Sequence, residues 1–188
     1  MHTANHYNQE FINQVRAPSL VFVGANDMAE LFKEKNIPRF TAYDDALFIE
    51  ADPEVFLRLE DNVARFNKTF KKNFKALSNL VTDKEDVSYN FNILTNNGQS
   101  SPIYTPNWEW IRDAGATMQQ AGTKNLTSRT LSSILEENKW ENKVFDLELD
   151  TQGAELDCLK GLKPSFFNHL ISLVVEVTRE NEFGAHYK

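Results

Sequence analysis

The chain has 188 residues, of which 41% are hydrophobic, and a formal net charge of −7. This length and composition indicate one globular domain with a real core, and they exclude an intrinsically disordered chain. The negative charge disfavours broad nucleic-acid binding, because it repels phosphate backbones.

Apolar runs that alternate with helical patterns predict a largely parallel sheet covered on both faces. The predicted strands lie at residues 20–23, 46–50, 74–80, 144–149 and 171–177. Between the second and third strands, Asp52 and Pro53 begin a predicted helix, because Asp can cap free amides and Pro tolerates the first helical position. The helix has one apolar face, formed by Val55, Phe56, Leu59, Val63 and Phe66.

The second half of the chain is less regular. Residues 87–94 alternate polar and apolar side chains, which predicts an antiparallel or edge strand. Residues 99–127 show weak periodicity and several Pro and Gly breaks, so we expect an irregular insertion that suits a lid. A helix is predicted over residues 130–139. The chain stops at Lys188, soon after the fifth strand, and we expect a shortened C-terminal end.

These elements predict a doubly wound α/β fold in a single domain, residues 1–188. The single cysteine, Cys158, cannot form an internal disulfide, and the polar N-terminus lacks a signal-peptide core. The longest apolar runs are far shorter than the roughly 20 residues that cross a bilayer. We therefore expect a cytoplasmic protein that contacts neither membranes nor nucleic acid.

Two predicted strand ends carry candidate ligand-binding residues. The first strand runs into Gly24, where a glycine allows close backbone approach to a ligand, although a tight turn alone also explains it. The second strand ends at Glu50, and an acid there can accept hydrogen bonds from both hydroxyls of a ribose. Asp52 is interpreted as a helix cap. Together, Gly24 and Glu50 indicate a nucleoside-like ligand.

The fourth predicted strand delivers Asp150 onto a tight turn that contains Gly153 and opens a helix. This pattern places a carboxylate at the carboxyl edge of the sheet, where open α/β folds bind their ligands. The four histidines are scattered without ligand spacing, so a structural zinc site is not expected and no residue is assigned to a metal.

Four sequence blocks occur in a characteristic order. They are VGAN at residues 23–26, IEADPEVFLRLEDN at residues 49–62, ALSN at 76–79 with GQSS at 98–101, and LDTQGAEL at 149–156. In these blocks the chain resembles the FkbM-type S-adenosylmethionine-dependent methyltransferases, over about residues 19–177. The last block is the most specific.

The resemblance implies a class I methyltransferase-like Rossmann fold, the cofactor S-adenosyl-L-methionine, and O-methylation of a glycan or small-molecule hydroxyl. It implies cofactor-binding residues Gly24, Ala25, Asn26, Glu50, Ala51 and Asp150, and catalytic residues Asp150, Gln152 and Glu155. A carboxylate near a sulfonium cation is physically sensible. Whether Asp150 acts electrostatically, as a base or as a metal ligand stays open.

The chain departs from the family pattern at three positions. Members usually have an acid two residues before the loop glycine and a second glycine four residues after it, where this chain has Phe22 and Met28. Ser132 stands where the family usually has Asp. A noncatalytic binding module of the same fold is one alternative. A nicotinamide-dependent oxidoreductase is another, although a dinucleotide loop has three glycines and this loop has only Gly24.

Overall fold

The computed structural model describes residues 18–95, 103–105 and 119–176. Its strands are β1 (Ser19–Val23), β2 (Asp45–Glu50), β3 (Lys75–Ser78), β4 (Leu80–Thr82), β5 (Ser88–Leu94), β6 (Gln120–Thr130), β7 (Phe145–Leu149) and β8 (Leu170–Val175). Its helices are α1 (Ile37–Thr41), α2 (Pro53–Phe70), α3 (Leu131–Glu137), α4 (Glu155–Lys160) and α5 (Pro164–Phe167), and a 3-10 turn covers Ala29–Phe32.

Five strands form one parallel sheet in the order β3-β2-β1-β7-β8. The predicted mostly parallel α/β fold is therefore confirmed. The strand order reverses at β1, which lies between β2 and β7, and ligands of such sheets bind outside the carboxyl ends at this reversal. Val23 pairs in register with Ile49 and Leu149, so the three central strands end at the same level.

Alternation along the strands builds a core on each face of the sheet. Val21, Leu47 and Leu147 belong to one buried cluster, together with side chains of α3 and α5. Leu20 and Phe48, their neighbours along the strands, belong to the other cluster with side chains of α2. The central strands are thus covered on both faces, because successive strand residues point in opposite directions.

Helix α2 forms as the sequence predicts. The Asp52 side chain caps it by accepting a hydrogen bond from the Glu54 N–H at 2.9 Å, and Pro53 is its first residue. The buried stripe of the helix is Val55, Leu59, Val63 and Phe66. Since the helix begins directly after β2, its packing fixes the position of Glu50 at the strand end.

The predicted third strand, residues 74–80, is divided in the structure. The chain leaves the five-stranded sheet at Asn79, whose N–H donates to the Glu50 carbonyl at 3.0 Å. Strand β4 then joins a second sheet of order β4-β6-β5. In this sheet β5 pairs antiparallel with β6, as residues 87–94 predict.

The prediction of an irregular insertion is wrong for residues 120–127, which lie in β6. Most of this strand is exposed, so it shows no apolar alternation, and its backbone ladder with β5 supplies the order. The remaining parts of the predicted insertion include residues 99–102 and 106–118, which lie outside the described residues.

No long helix follows β1 directly. The chain instead takes positive φ at Gly24 (78°), Asn26 (52°) and Met28 (48°) before the 3-10 turn. Repeated left-handed residues interrupt the helical hydrogen-bond pattern. Within the parts of the chain that are described, no helix is long and apolar enough to cross a membrane.

Candidate functional site

A cavity of about 680 Å³ opens at the carboxyl ends of β1, β2 and β7. Pockets of roughly 300–1,000 Å³ commonly hold small ligands and cofactors. The structure brings seven of the eight sequence-predicted site residues into its wall, and these are Gly24, Ala25, Asn26, Glu50, Ala51, Asp150 and Gln152. Glu50 and Asp150, which are 100 positions apart in sequence, therefore share one cavity.

Glu50 is 6% exposed and lies at the end of β2. One carboxylate oxygen accepts from the Asn26 N–H at 2.9 Å, and the other accepts from the Asp52 N–H at 2.8 Å. An ionised carboxylate has about four acceptor positions, so capacity remains for ligand hydroxyls. Burial raises the pKa of Glu50 to about 7, although hydrogen bonds from these backbone N–H groups act in the opposite direction.

The loop after β1 is tied to both neighbouring strands. The N–H groups of Gly24 and Ala25 donate to the Ile49 carbonyl at 2.9 and 3.0 Å, and the Asp150 N–H donates to the Val23 carbonyl at 3.0 Å. A Cβ added to Gly24 would lie 1.8 Å from the Asp150 carbonyl oxygen. The close approach that requires a glycine here is therefore to the backbone after β7.

Asp150 is exposed at the cavity rim, where Gln152 holds its side chain. The Gln152 amide donates to Asp150 Oδ1 at 2.8 Å and to Glu176 Oε2 at 2.6 Å, and thus bridges two carboxyl groups. Burial raises the pKa of Glu176 to about 7, and its contact with Asp150 acts in the same direction. The Gln152 amide therefore links two neighbouring carboxyl groups, those of Asp150 and Glu176, at the cavity rim.

Glu155, a predicted catalytic residue, is not among the described residues that line the cavity. Its carboxylate accepts from the Thr151 N–H at 2.8 Å and from the Gly153 N–H at 3.0 and 3.1 Å. These contacts hold the turn on which Gln152 takes a positive φ of 58°. They give Glu155 a positioning role for the turn, and its direct part in catalysis stays a prediction.

The three departures from the family pattern lie in different surroundings. Phe22 and Met28 line the cavity, and Met28 is 4% exposed within the core. Ser132 instead lies where α3 meets the chain after α4: its N–H donates to the Gly161 carbonyl at 3.2 Å, and its hydroxyl accepts from the Lys163 N–H at 2.6 Å. Ser132 therefore fixes helix packing and does not line the cavity.

The outer wall of the cavity comes from the second sheet. Phe91 of β5 and Ile103 line it, together with residues 79–81. The Tyr104 hydroxyl donates to the Asp157 carboxylate on α4, and the Asn92 side chain donates to the Tyr104 carbonyl at 3.0 Å. These contacts place an apolar wall opposite the polar strand ends.

The sequence predictions omit several charged residues of the site, among them Arg39, Glu148 and Glu176. Arg39 of α1 and Glu148 of β7 line the cavity and form an ion pair, and Glu176 follows β8 beside Asp150. The sequence could have indicated Glu148 and Glu176, because both are acids at or near the ends of predicted strands. Arg39 gave no such signal, because α1 has only five residues and no apolar repeat of its own.

Comparison with known protein families matches residues 23–187 to the methyltransferase FkbM domain. A crystal structure of methyltransferase FkbM from Methylobacillus flagellatus KT is similar over 86% of this chain and 38% of its own, with 14% sequence identity and a TM-score of 0.46. This chain thus spans 38% of the length of that protein. No curated protein matches the chain. Because the matched family covers most of the sequence, the chain belongs to the FkbM methyltransferase domain family.

Proposed function

We propose that this protein is an S-adenosyl-L-methionine-dependent methyltransferase that methylates a hydroxyl group of a glycan or small molecule. The observation that supports this most is that Glu50 and Asp150, from two strands on either side of β1, line one cavity at the reversal of strand order. Membership of the FkbM methyltransferase domain family supports methyl transfer.

The residues of the cavity fit this cofactor. Glu50 would hold the ribose hydroxyls, because its buried carboxylate keeps acceptor capacity beyond its two backbone hydrogen bonds. Phe91 and Ile103 offer an apolar surface against which the adenine can pack. Asp150 would lie near the sulfonium, where a carboxylate stabilises positive charge.

When bound, the cofactor supplies a methyl group whose S–C bond breaks as an O–C bond forms to the acceptor, leaving a neutral thioether. The acceptor hydroxyl must lose its proton, and the Asp150–Glu176 pair can take it. Glu176 has a pKa raised to about 7, which suits a base that works near neutral pH. Gln152 keeps the two carboxyl groups oriented through its 2.8 and 2.6 Å hydrogen bonds.

A noncatalytic module that binds the same cofactor is the second candidate. The observation in its favour is that Phe22 and Met28 place apolar side chains in the wall of the cavity. Such a module would bind the cofactor and transfer no methyl group.

Thermal melting with added ligand tests the proposal. A ligand at a hundred times its dissociation constant stabilises by roughly 2.7 kcal/mol, which should raise the Tm by about 5–10 °C. We expect this shift with S-adenosylmethionine and S-adenosylhomocysteine, and none with NAD. A shift with NAD alone, or with none of the three, would overturn the proposal.

Methyl transfer itself requires a second measurement. Incubation with S-adenosylmethionine and a panel of glycan and small-molecule hydroxyl acceptors should yield a product heavier by one methylene unit in mass spectrometry. Cofactor binding without any methylated product across the panel would favour the noncatalytic module.

A further inference from the structure

The cavity also contains a pair of opposite charges, Arg39 and Glu148, which the proposed chemistry does not use. The Arg39 guanidinium donates to the Glu148 carboxylate, and both residues line the cavity. The side chain of Glu148 is 11% exposed and that of Arg39 is 38% exposed. Among the ion pairs of the described residues, this is the one with both members in the cavity wall.

The position of Glu148 places this pair on the β7 side of the cavity. Glu148 is the register partner of Phe22 and lies two residues before Asp150, which follows the end of β7. Glu50 lies on the other side of β1, at the end of β2. A ligand whose ribose contacts Glu50 and whose reactive atom faces Asp150 therefore has its remaining part near Glu148.

The surroundings of the pair are largely apolar. The Arg39 guanidinium lies 5.0 Å from the centre of the Phe40 ring, and Phe22 and Phe40 both line the cavity. The Glu148 carboxylate is largely shielded from water, so a ligand group of opposite charge gains more beside it than in water. Lys35 also lines the cavity and adds a second positive charge.

We propose that Arg39 and Glu148 bind the zwitterionic amino-acid end of the cofactor, and this inference rests on the proposed function. Glu148 accepts hydrogen bonds from the ligand ammonium, and Arg39 donates to the ligand carboxylate. Glu148 thereby supplies, from the neighbouring strand, a carboxylate beside the apolar Phe22. The pair selects ligands that carry an α-amino acid over those that carry only the adenosine.

A series of three thioether ligands tests this assignment in the wild-type protein. S-adenosylhomocysteine has the amine and the carboxylate, its decarboxylated analogue keeps only the amine, and methylthioadenosine has neither. All three have a neutral sulfur, so charge attraction between Asp150 and a sulfonium does not enter the comparison. By calorimetry we expect the affinity to fall about tenfold or more from the first ligand to the last, with the analogue between them.

Two variants test which residue binds the ammonium of the ligand and which binds its carboxylate. Glu148→Gln should weaken binding of S-adenosylhomocysteine roughly tenfold or more and leave methylthioadenosine within about twofold. Arg39→Gln should weaken S-adenosylhomocysteine but not its decarboxylated analogue. Glu136→Gln, which removes a carboxylate from an ion pair with Lys163 outside the cavity, is the matched control and should change none of these affinities.

The outcomes separate the two proposals. Equal wild-type affinity for all three ligands would overturn the role of Arg39 and Glu148 and leave the adenosine site standing. An equal loss of methylthioadenosine and S-adenosylhomocysteine binding in Glu148→Gln would also overturn this role. Such a pattern would indicate damage to the structure of the site and not the loss of a contact with the amino-acid end. If the wild type bound none of the three, the proposed function and this inference would both be wrong. Because equal wild-type affinities would overturn the assignment, the inference can be refuted even where a variant does not fold.

Discussion

The carbonyl oxygen of Asp150 lies where a side chain at position 24 would have to stand, 1.8 Å from an added Cβ on Gly24. Gly24 also has a backbone φ of +78°, a value that residues other than glycine rarely adopt. The glycine therefore allows the ends of β1 and β7 to close against each other and form the floor of the cavity.

Replacing Gly24 with alanine should destabilise the protein. The clash with backbone and the left-handed conformation together should lower the free energy of unfolding by about 2–5 kcal/mol. Urea denaturation followed by circular dichroism measures this change. Gly122→Ala is the matched control, because a Cβ there would meet nothing within 4 Å, and we expect a change below about 1 kcal/mol. Equal effects of the two substitutions would contradict the proposed closure.

Ligand binding should depend on pH through Glu50. Burial raises the pKa of this carboxyl to about 7, and the charged form accepts hydrogen bonds from ribose hydroxyls better than the protonated form. The affinity for methylthioadenosine should therefore rise about tenfold between about pH 6 and about pH 8. Calorimetry with this neutral ligand measures the effect. In Glu50→Gln the affinity should be lower and independent of pH, whereas Glu60→Gln, at an exposed position of α2, should behave as wild type.

Glu50 should also make the stability of the protein depend on pH, with the opposite sign: stability should fall as the pH rises. The pKa of Glu50 is higher in the folded protein than its ordinary value of 4.5, so the folded state holds the proton more tightly. Its contribution to stability is then fully present below about pH 4.5 and is lost as the pH rises through about 7. Urea denaturation across this range should show a smaller decline in Glu50→Gln than in wild type. An identical decline in both proteins would show that another group titrates.

Asp150→Asn should distinguish charge from shape at the methyl-transfer centre. The amide keeps the size of the side chain but removes the charge that favours a sulfonium. We expect the affinity for S-adenosylmethionine to fall several-fold relative to that for S-adenosylhomocysteine, with folding retained and methyl transfer lost. The control is Asp61→Asn on α2, where the side chain is 71% exposed. Full methyl transfer by Asp150→Asn would remove this residue from the mechanism.

Glu155→Ala should act through the turn after β7. Three hydrogen bonds from the Thr151 and Gly153 N–H groups to this charged carboxylate are lost, which should cost about 1–3 kcal/mol. Thermal and urea denaturation measure the loss, and Glu60→Ala on the surface of α2 is the control. If Glu155→Ala kept wild-type stability and lost methyl transfer at saturating cofactor, Glu155 would have a catalytic role and not a positioning one.

Much of the fold follows from local patterns. Helix α2 is predicted because Asp52, Pro53 and one apolar stripe all specify the same start and the same buried face. The three central strands, β1, β2 and β7, are predicted because strands buried on both faces are continuous apolar runs. Strand β6 is missed because its side chains are mostly exposed, and only the backbone ladder with β5 determines it.

The α/β fold, the family and the two acids Glu50 and Asp150 can be predicted from local patterns, because strand ends and motif blocks are local properties of the chain. Three relationships emerge only in the folded protein: Gly24 makes room for the backbone of Asp150, Glu155 holds a turn, and Arg39 contacts Glu148 across 109 positions. Those relationships depend on strand order and register, which bring distant residues together through the hydrogen bonds and packing of the whole sheet.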